Sequence, residues 1–312
     1  MLTRRHIRVK VMQVIYALAL SREGSLETQQ KFLNQSIAQT FTLYLLILAL
    51  FRELHQLAEE QVKKGSRKYL KSEGETTPRR FSENRVLKQL AENEKLGEAL
   101  KKRKLRQWYL NEEYVKILLK EILQSERYRE YEKKPSGYRE DREFLAAIFK
   151  ELIAPNEKIY EFLEDEGITW VDDLPLVNTY LLKQLRKVKP DSPEGYFLPA
   201  LLKNREDMDF ALELLKKTLL KGQELEAEIE GKTPNWDKER IAELDAILLK
   251  MAIAELLYFP SIPERVTINE YLEIAKEYST PKSSIFINGV LDKLTRDYKA
   301  TGRLKKSGRG LL

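Results

Sequence analysis

The chain of 312 residues is 42% apolar and 33% charged, with 13 Gly, 11 Pro, no Cys and two histidines, His6 and His55. That suits a soluble helical protein of about two domains and excludes disulfide scaffolds, cysteine zinc sites and thiol catalysis; with two histidines, a His-rich metal site and a Ser-His-Asp triad are not expected. The net charge of +6 is uneven: residues 1–12 carry Arg4, Arg5, Arg8 and Lys10 without an acid, residues 293–312 carry seven cations against Asp297, and the 280 residues between them sum to −4. Two basic ends on an acidic body suit a polyanion, most often nucleic acid.

In chain order, the first segment, Thr3–Ser21, places Ile7, Val11, Val14, Ile15 and Leu18 on one helical face. Its basic start and the apolar run Val14–Leu20 imitate a signal peptide with Ala17-Leu18-Ala19 as a cleavage site. The run is short, and Lys10 and Gln13 interrupt its approach, so an amphipathic first helix is expected. A long helix follows over Leu26–Lys64. Its apolar stretch Phe41–Phe51 falls well short of the roughly 18 residues that span a bilayer and reads as buried. No membrane segment and a cytoplasmic setting are expected.

Residues 65–80, with Gly65, Gly74 and Pro78, read as an exposed loop. Helical patterns cover Ser82–Leu110 and Asn111–Gln124. The run Lys101-Lys102-Arg103-Lys104-Leu105-Arg106 lies in the first of these and reads more readily as a solvated helix face than as a binding site. Lys134-Pro135-Ser136-Gly137 breaks the pattern. So does Pro190-Asp191-Ser192-Pro193-Glu194-Gly195, the best candidate for a domain boundary. Asp172-Asp173 reads as a turn or helix start.

An internal repeat spans this boundary. Arg139-Glu140-Asp141-Arg142-Glu143-Phe144 matches Arg205-Glu206-Asp207-Met208-Asp209-Phe210 at an offset of 66, which also takes Trp170 to Trp236 and Leu182 to Leu248. Duplication of a helical unit and coincidence between two amphipathic helix pairs both fit. Beyond it, Asn235–Leu257 is a helix with Ile241, Leu244, Ile247, Leu248, Met251, Ala252 and Leu256 inward, stopped by Phe259-Pro260. Thr267-Ile268-Asn269-Glu270 reads as a capping box, opening a helix to Tyr278. A last helix starts near Ser283 and runs to about Tyr298. Gly289 inside it costs about 1 kcal/mol relative to alanine, which suggests close backbone approach. Residues 299–312 read as a basic, flexible tail.

The chain has no P-loop, no Gly-rich strand-to-helix fingerprint, no HExxH pair and no GxSxG elbow. Its carboxylates are spread along helix faces beside Lys and Arg. No catalytic residue, metal ligand or cofactor is assigned, and an enzyme is not expected.

The string Ile262-Pro263-Glu264-Arg265-Val266-Thr267-Ile268-Asn269-Glu270 resembles a segment of the NusB transcription antitermination factors. Tyr271-Leu272-Glu273-Ile274-Ala275-Lys276-Glu277-Tyr278, Ser284-Ile285-Phe286-Ile287-Asn288-Gly289-Val290-Leu291-Asp292 and Leu248-Leu249-Lys250-Met251-Ala252-Ile253-Ala254-Glu255-Leu256 are similar to further segments of that family. Arg4-Arg5-His6-Ile7-Arg8-Val9-Lys10-Val11-Met12-Gln13-Val14-Ile15-Tyr16 is similar to its opening. The resemblance covers residues 3–22 and 205–298. It implies an all-α, NusB-like helical bundle, segmented as an N-terminal helical region over 1–204, a C-terminal bundle over 205–298 and the tail 299–312. Residues 65–204 are an expansion of the middle.

The resemblance also implies a function: binding boxA-type single-stranded ribosomal RNA with a NusE-type small ribosomal protein, and joining the RNA polymerase antitermination complex to suppress premature termination. Arg4, Arg5, Arg8 and Lys10 suit phosphates, which position RNA without specifying it. Tyr16 and Phe286 offer rings, and Gln13 and Asn288 offer amides, for single-stranded bases; each ring also fits a core position. The turn before the last helix adds Lys282, Ser283 and Ser284. Asp245 and Glu255 match positions the family uses for its protein partner. Two other readings stand beside this one. One is a ribosome-assembly scaffold without antitermination activity. The other is an accessory-type module of an rRNA-modifying enzyme.

Overall fold

The computed structural model describes residues 1–65, 78–230 and 241–307. Among them are sixteen α-helices and no strand. The helices are α1 (Arg4–Ser21), α2 (Leu26–Gly65), α3 (Arg79–Ser82), α4 (Arg85–Ala91), α5 (Glu94–Lys102), α6 (Gln107–Leu110), α7 (Glu112–Gln124), α8 (Glu126–Lys133), α9 (Tyr138–Ile148), α10 (Glu157–Glu166), α11 (Leu174–Lys187), α12 (Arg205–Leu220), α13 (Gly222–Glu230), α14 (Glu243–Tyr258), α15 (Glu264–Tyr278) and α16 (Ser283–Ala300). They form two compact units: Met1–Ile37 with Leu201–Leu312, and Ala38–Ala200. The first helix thus belongs with the far end of the chain.

In the first unit α14 is the axis. Its residues Ile247, Leu248, Leu249 and Met251–Leu256 are buried around the whole circumference, the pattern of a helix enclosed on every side. Helices α1, α12, α13, α15 and α16 pack around it. Helix α15 starts at Glu264 with Pro263 as its N-cap residue, so Thr267 does not open a capping box. It is buried inside the helix, where its hydroxyl donates to Glu255 at 2.8 Å. A Cβ on Gly289 would meet nothing within 4 Å; no close backbone approach explains this glycine.

Residues 299–307 are docked, not free. Arg303 donates to Glu228 at 2.7 Å, and Lys306 Nζ donates to the carbonyls of Glu255 and Phe259, both at 3.0 Å. These carbonyls close the C-terminal end of α14, where a cation is favoured. Half-burial pushes the Lys306 ammonium down to a pKa of about 8. Residues 308–312 of the expected tail lie outside the described residues.

The second unit is organised on α2. Leu43–Phe51 is buried, as expected for Phe41–Phe51. Among the described residues α2 alone is long and apolar enough to pass for a membrane span, and 67% of that window is buried inside the protein. The expected helix Ser82–Leu110 is instead α4, α5 and α6. Asn84 accepts from the backbone N–H of Val86 and Leu87, and Asn93 accepts from that of Leu96. Each side chain satisfies a helix-start donor and so restarts the helix. Lys104, at φ 55°, turns the chain before α6. Most of the expected loop over 65–80 lies outside the described residues.

Each copy of the internal repeat has a buried aspartate beside an arginine that lies over an aromatic ring. Asp207, buried in the first turn of α12, accepts from Arg4 at 3.2 Å, and the Arg4 guanidinium lies 5.1 Å over Phe210. Asp141, buried in the first turn of α9, has Arg80 at 3.5 Å, and that guanidinium lies 4.5 Å over Tyr131. Phe144, the counterpart of Phe210, stacks on Tyr131. The arginines, Arg4 and Arg80, come from outside the repeat, and the rings under them, Phe210 and Tyr131, do not stand at the 66-residue offset. Trp236 lies outside the described residues.

Candidate nucleic-acid interface

Helix α1 has no acid in its first turn, so its N-terminal N–H groups keep their anion-attracting character. The first turns of α1 edge an open cleft of about 620 Å³ lined by Thr3, Arg4, Arg5, His6 and Arg8 with Ser261–Pro263, Val266 and Glu270. All of it lies in the first unit. His6 sits in the first turn of α1, and its Nδ1 accepts from the Thr3 backbone N–H at 3.0 Å. Burial, then the charge of Arg5, lowers the His6 pKa from its ordinary value of 6.5 and keeps the ring neutral.

That shift has a sign. The unfolded chain takes up the proton first, so the stability contributed by His6 is fully present above pH 6.5. It is lost as pH falls through the lowered folded value. A proton NMR titration of His6 should give a midpoint below 6.5; a midpoint at or above it contradicts the assignment.

The three arginines meet three carboxylates that are remote in sequence. Arg4 Nε reaches Asp207 at 3.2 Å. Arg5 holds Glu270 through Nε at 3.2 Å and Nη2 at 2.8 Å, hydrogen bonds that raise its pKa. Arg8 is buried and grips Glu255 through Nε at 2.8 Å and Nη2 at 2.7 Å, with Glu270 at 3.4 Å from Nη1. Burial alone would lower the Arg8 pKa, but the hydrogen bonds and charge of Glu255 carry it above the ordinary value. Thr267 and the Tyr271 hydroxyl, at 3.3 Å, also donate to Glu255. Three cations against three anions make this cluster neutral as a whole. The concentrated positive charge expected at residues 1–12 is reduced accordingly.

The expected RNA residues divide by exposure. The side chains of Arg4 and Arg5 are 39% and 40% exposed, and both line the cleft. Tyr16 is exposed, Gln13 partly so. Lys282 is exposed and Ser284 partly exposed at the entrance to α16. Asn288 is partly exposed and donates to Asp292 at 3.3 Å. Arg8, Lys10 and Ser283 are buried, which corrects their expected place on the surface; Phe286 is buried too, in the core position its ring was also expected to fit. Arg8 and Lys10 lie in the continuously buried run Ile7–Met12 of α1.

The expected partner residues are corrected in the same way. Glu255 is fully buried with both oxygens engaged by Arg8. Asp245 is buried in the first turn of α14, where Ser279 donates to Oδ1 at 2.6 Å and Ser283 to Oδ2 at 2.7 Å. It fixes the turn between α15 and α16, and thereby the backbone that presents Lys282. Asp245 and Glu255 sit ten residues apart on α14, about 15 Å at helical rise. The arginine cleft and the Lys282 turn are therefore at opposite ends of one helix, not side by side. Asp207 and Glu270 were not singled out as site residues. Both lay within noted strings, the repeat and the Asn269-Glu270 pair, but neither string reveals a pairing across more than 200 residues.

This architecture defines a class: an all-helical bundle around one enclosed helix, with a basic first helix edging an open cleft. The family model described as NusB family matches residues 177–296. Curated relatives named transcription antitermination protein NusB include that of Salinibacter ruber (strain DSM 13855 / M31), 47% identical over 104 residues, 33% of this chain and 65% of the relative. That of Chloroherpeton thalassium (strain ATCC 35110 / GB-78) is 38% identical over 130 residues, 41% and 62%. That of Geotalea daltonii (strain DSM 22248 / JCM 15807 / FRC-32) is 37% identical over 119 residues, 38% and 79%. The chain belongs to the NusB family. It spans slightly less than two thirds of the length of the first two relatives, and residues 1–176 precede the region the family model matches.

Proposed function

We propose that this chain is a cytoplasmic transcription antitermination factor. It binds boxA-type single-stranded RNA with a NusE-type small ribosomal protein and joins the antitermination complex on RNA polymerase. The observation that carries the reading is the family match over residues 177–296, most of which lie in the unit that also holds the arginine cleft, together with relatives named for antitermination. The half-exposed Arg4 and Arg5 contact phosphates beside the N-terminus of α1, and Lys282 contacts them at the other end of α14. Tyr16 stacks on a base, and Gln13, Ser284 and Asn288 meet base edges or sugar. Arg8, Lys10, Ser283 and Phe286 act from inside, by holding the helices that carry these groups. Asp245 and Glu255 act on the protein partner indirectly, through the turn and the helix end they fix.

Fluorescence anisotropy with a labelled boxA-type RNA and its scrambled form tests the reading. The boxA-type strand should bind more tightly, and more tightly still with the NusE-type partner present. Lys282→Ala, which disturbs no ion pair, should weaken binding and reduce the salt slope by about 0.7. Joint replacement of Arg4 and Arg5 by alanine should lower it by about twice that. Equal binding of both strands with no partner effect overturns RNA recognition. Unchanged termination in a readthrough assay with purified polymerase overturns antitermination in favour of a ribosome-assembly scaffold.

A further inference from the structure

We infer that the corner between α5 and α6, in the Ala38–Ala200 unit, is a second binding site for single-stranded RNA. It uses Lys101, Lys102, Lys104 and Arg106 for phosphates and Tyr109 as a base-stacking platform. The inference extends RNA binding to the other unit and does not require boxA recognition by the first.

Charge is the first observation. Between Ala99 and Asn111 the chain has five cations and no acid. All five side chains are exposed, and among the described residues none pairs with a carboxylate. Surface cations elsewhere in this unit do pair, as in Lys116–Glu112, Arg127–Glu151 and Arg139–Glu143. Glu98 stands four residues before Lys102, the spacing of a helical ion pair, yet no such pair forms. The dipole at the end of α5 favours Lys101 and Lys102. It does not account for Lys104 and Arg106, which lie beyond the helix.

Shape is the second. The corner is pinned on both sides. Arg103 donates to Thr42 at 2.7 Å and lies 5.2 Å over the Phe41 ring. Trp108 is buried, donates from Nε1 to the Leu46 carbonyl at 2.7 Å, and has its ring centroid 4.7 Å from that of Phe162. Between these anchors Lys104 takes a left-handed backbone, φ 55°, unusual for a side chain of its size. Immediately after the second anchor, Tyr109 and Leu110 are 73% and 74% exposed. A fixed turn thus holds four unpaired cations beside an outward aromatic ring.

Cations that track a backbone, combined with a ring that stacks on any base, are what sequence-tolerant single-strand binding requires. Tyr109 and Leu110 alone offer too little apolar face to seat the corner in a bilayer interface. An acidic peptide would use the charge and leave the ring idle.

The test uses the full chain and a fluorescein-labelled 20-nucleotide oligouridylate, which lacks any boxA element. The wild-type protein should bind it with a salt-dependent affinity. Tyr109→Ala should bind at least about fivefold more weakly, with Tyr109→Phe retaining most of the affinity. The triple variant K102E/K104E/R106E should lose about 2 from the salt slope. All these side chains are exposed, and matching circular dichroism and melting curves check the fold. Unchanged oligouridylate binding by the corner variants overturns the inference whatever happens with boxA-type RNA. Failure with boxA-type RNA alone overturns only the function proposed above. Corner-dependent binding to phosphatidylserine vesicles without binding to oligouridylate overturns it in favour of a membrane.

Discussion

Glu255→Ala is expected to destabilise the unit formed by residues 1–37 and 201–312 by about 3–5 kcal/mol, the loss typical when one partner of a buried ion pair is removed. The Arg8 guanidinium would remain in the interior with its principal carboxylate gone. The hydroxyls of Thr267 and Tyr271 would lose their acceptor as well. Urea denaturation measures the loss, and hydrogen exchange should place it in α1, α14 and α15. A loss below about 1 kcal/mol, the range of an exposed pair, contradicts the buried cluster. The double variant Arg8→Met with Glu255→Leu should recover much of the stability, because an apolar pair of similar volume avoids the desolvation penalty.

Trp108→Ala is the second large effect, expected to remove about 3–5 kcal/mol from the Ala38–Ala200 unit. The change empties the volume of the indole against Phe162 and leaves the Leu46 carbonyl without the donor it has now. The chain divides into two compact units, and hydrogen exchange locates the loss. Protection should fall in α2, α6 and α10, while α14 and α16 keep theirs. A loss under 1 kcal/mol would mean that the indole contributes little packing.

How much of this was legible in the sequence depends on the range of the interaction concerned. Helices α1, α2 and α7 follow from apolar spacing within a turn or two, and their ends fall where the pattern places them. The division of 82–110 into three helices was missed. Asn84 and Asn93 restart helices by a local side-chain bond that leaves the apolar period almost intact. The capping box at Thr267 was a local signal overridden by a distant one. Pro263 starts the helix one turn earlier, and Glu255 takes the threonine hydroxyl.

The site shows the same division. The arginines of the first helix stood out in the sequence and do edge a cleft. Their neutralisation did not, because Asp207, Glu255 and Glu270 lie 203 to 265 residues away. Local charge arithmetic overstates the field of a segment whose counter-ions come from elsewhere in the fold. The cations of the run Lys101–Arg106 are exposed, as expected of a solvated face. There the carboxylates at favourable spacing do not close on their partners.

The pairing of α1 with helices from the other end of the chain also has a consequence for biosynthesis. Arg8 leaves the peptidyl-transferase centre 247 residues before Glu255, on the order of 12–50 s at about 5–20 residues per second. Until residues 205–220 follow as α12, the apolar face of α1, with Ile7, Val11 and Val14, lacks the helices α12, α14 and α15 that later pack on it. Residues 38–200 are all made meanwhile and can close as a unit. The nascent chain therefore carries an open basic amphipathic helix beside a finished bundle while the ribosome is still translating it. The ion-pair cluster is completed late, when α14 and α15 emerge.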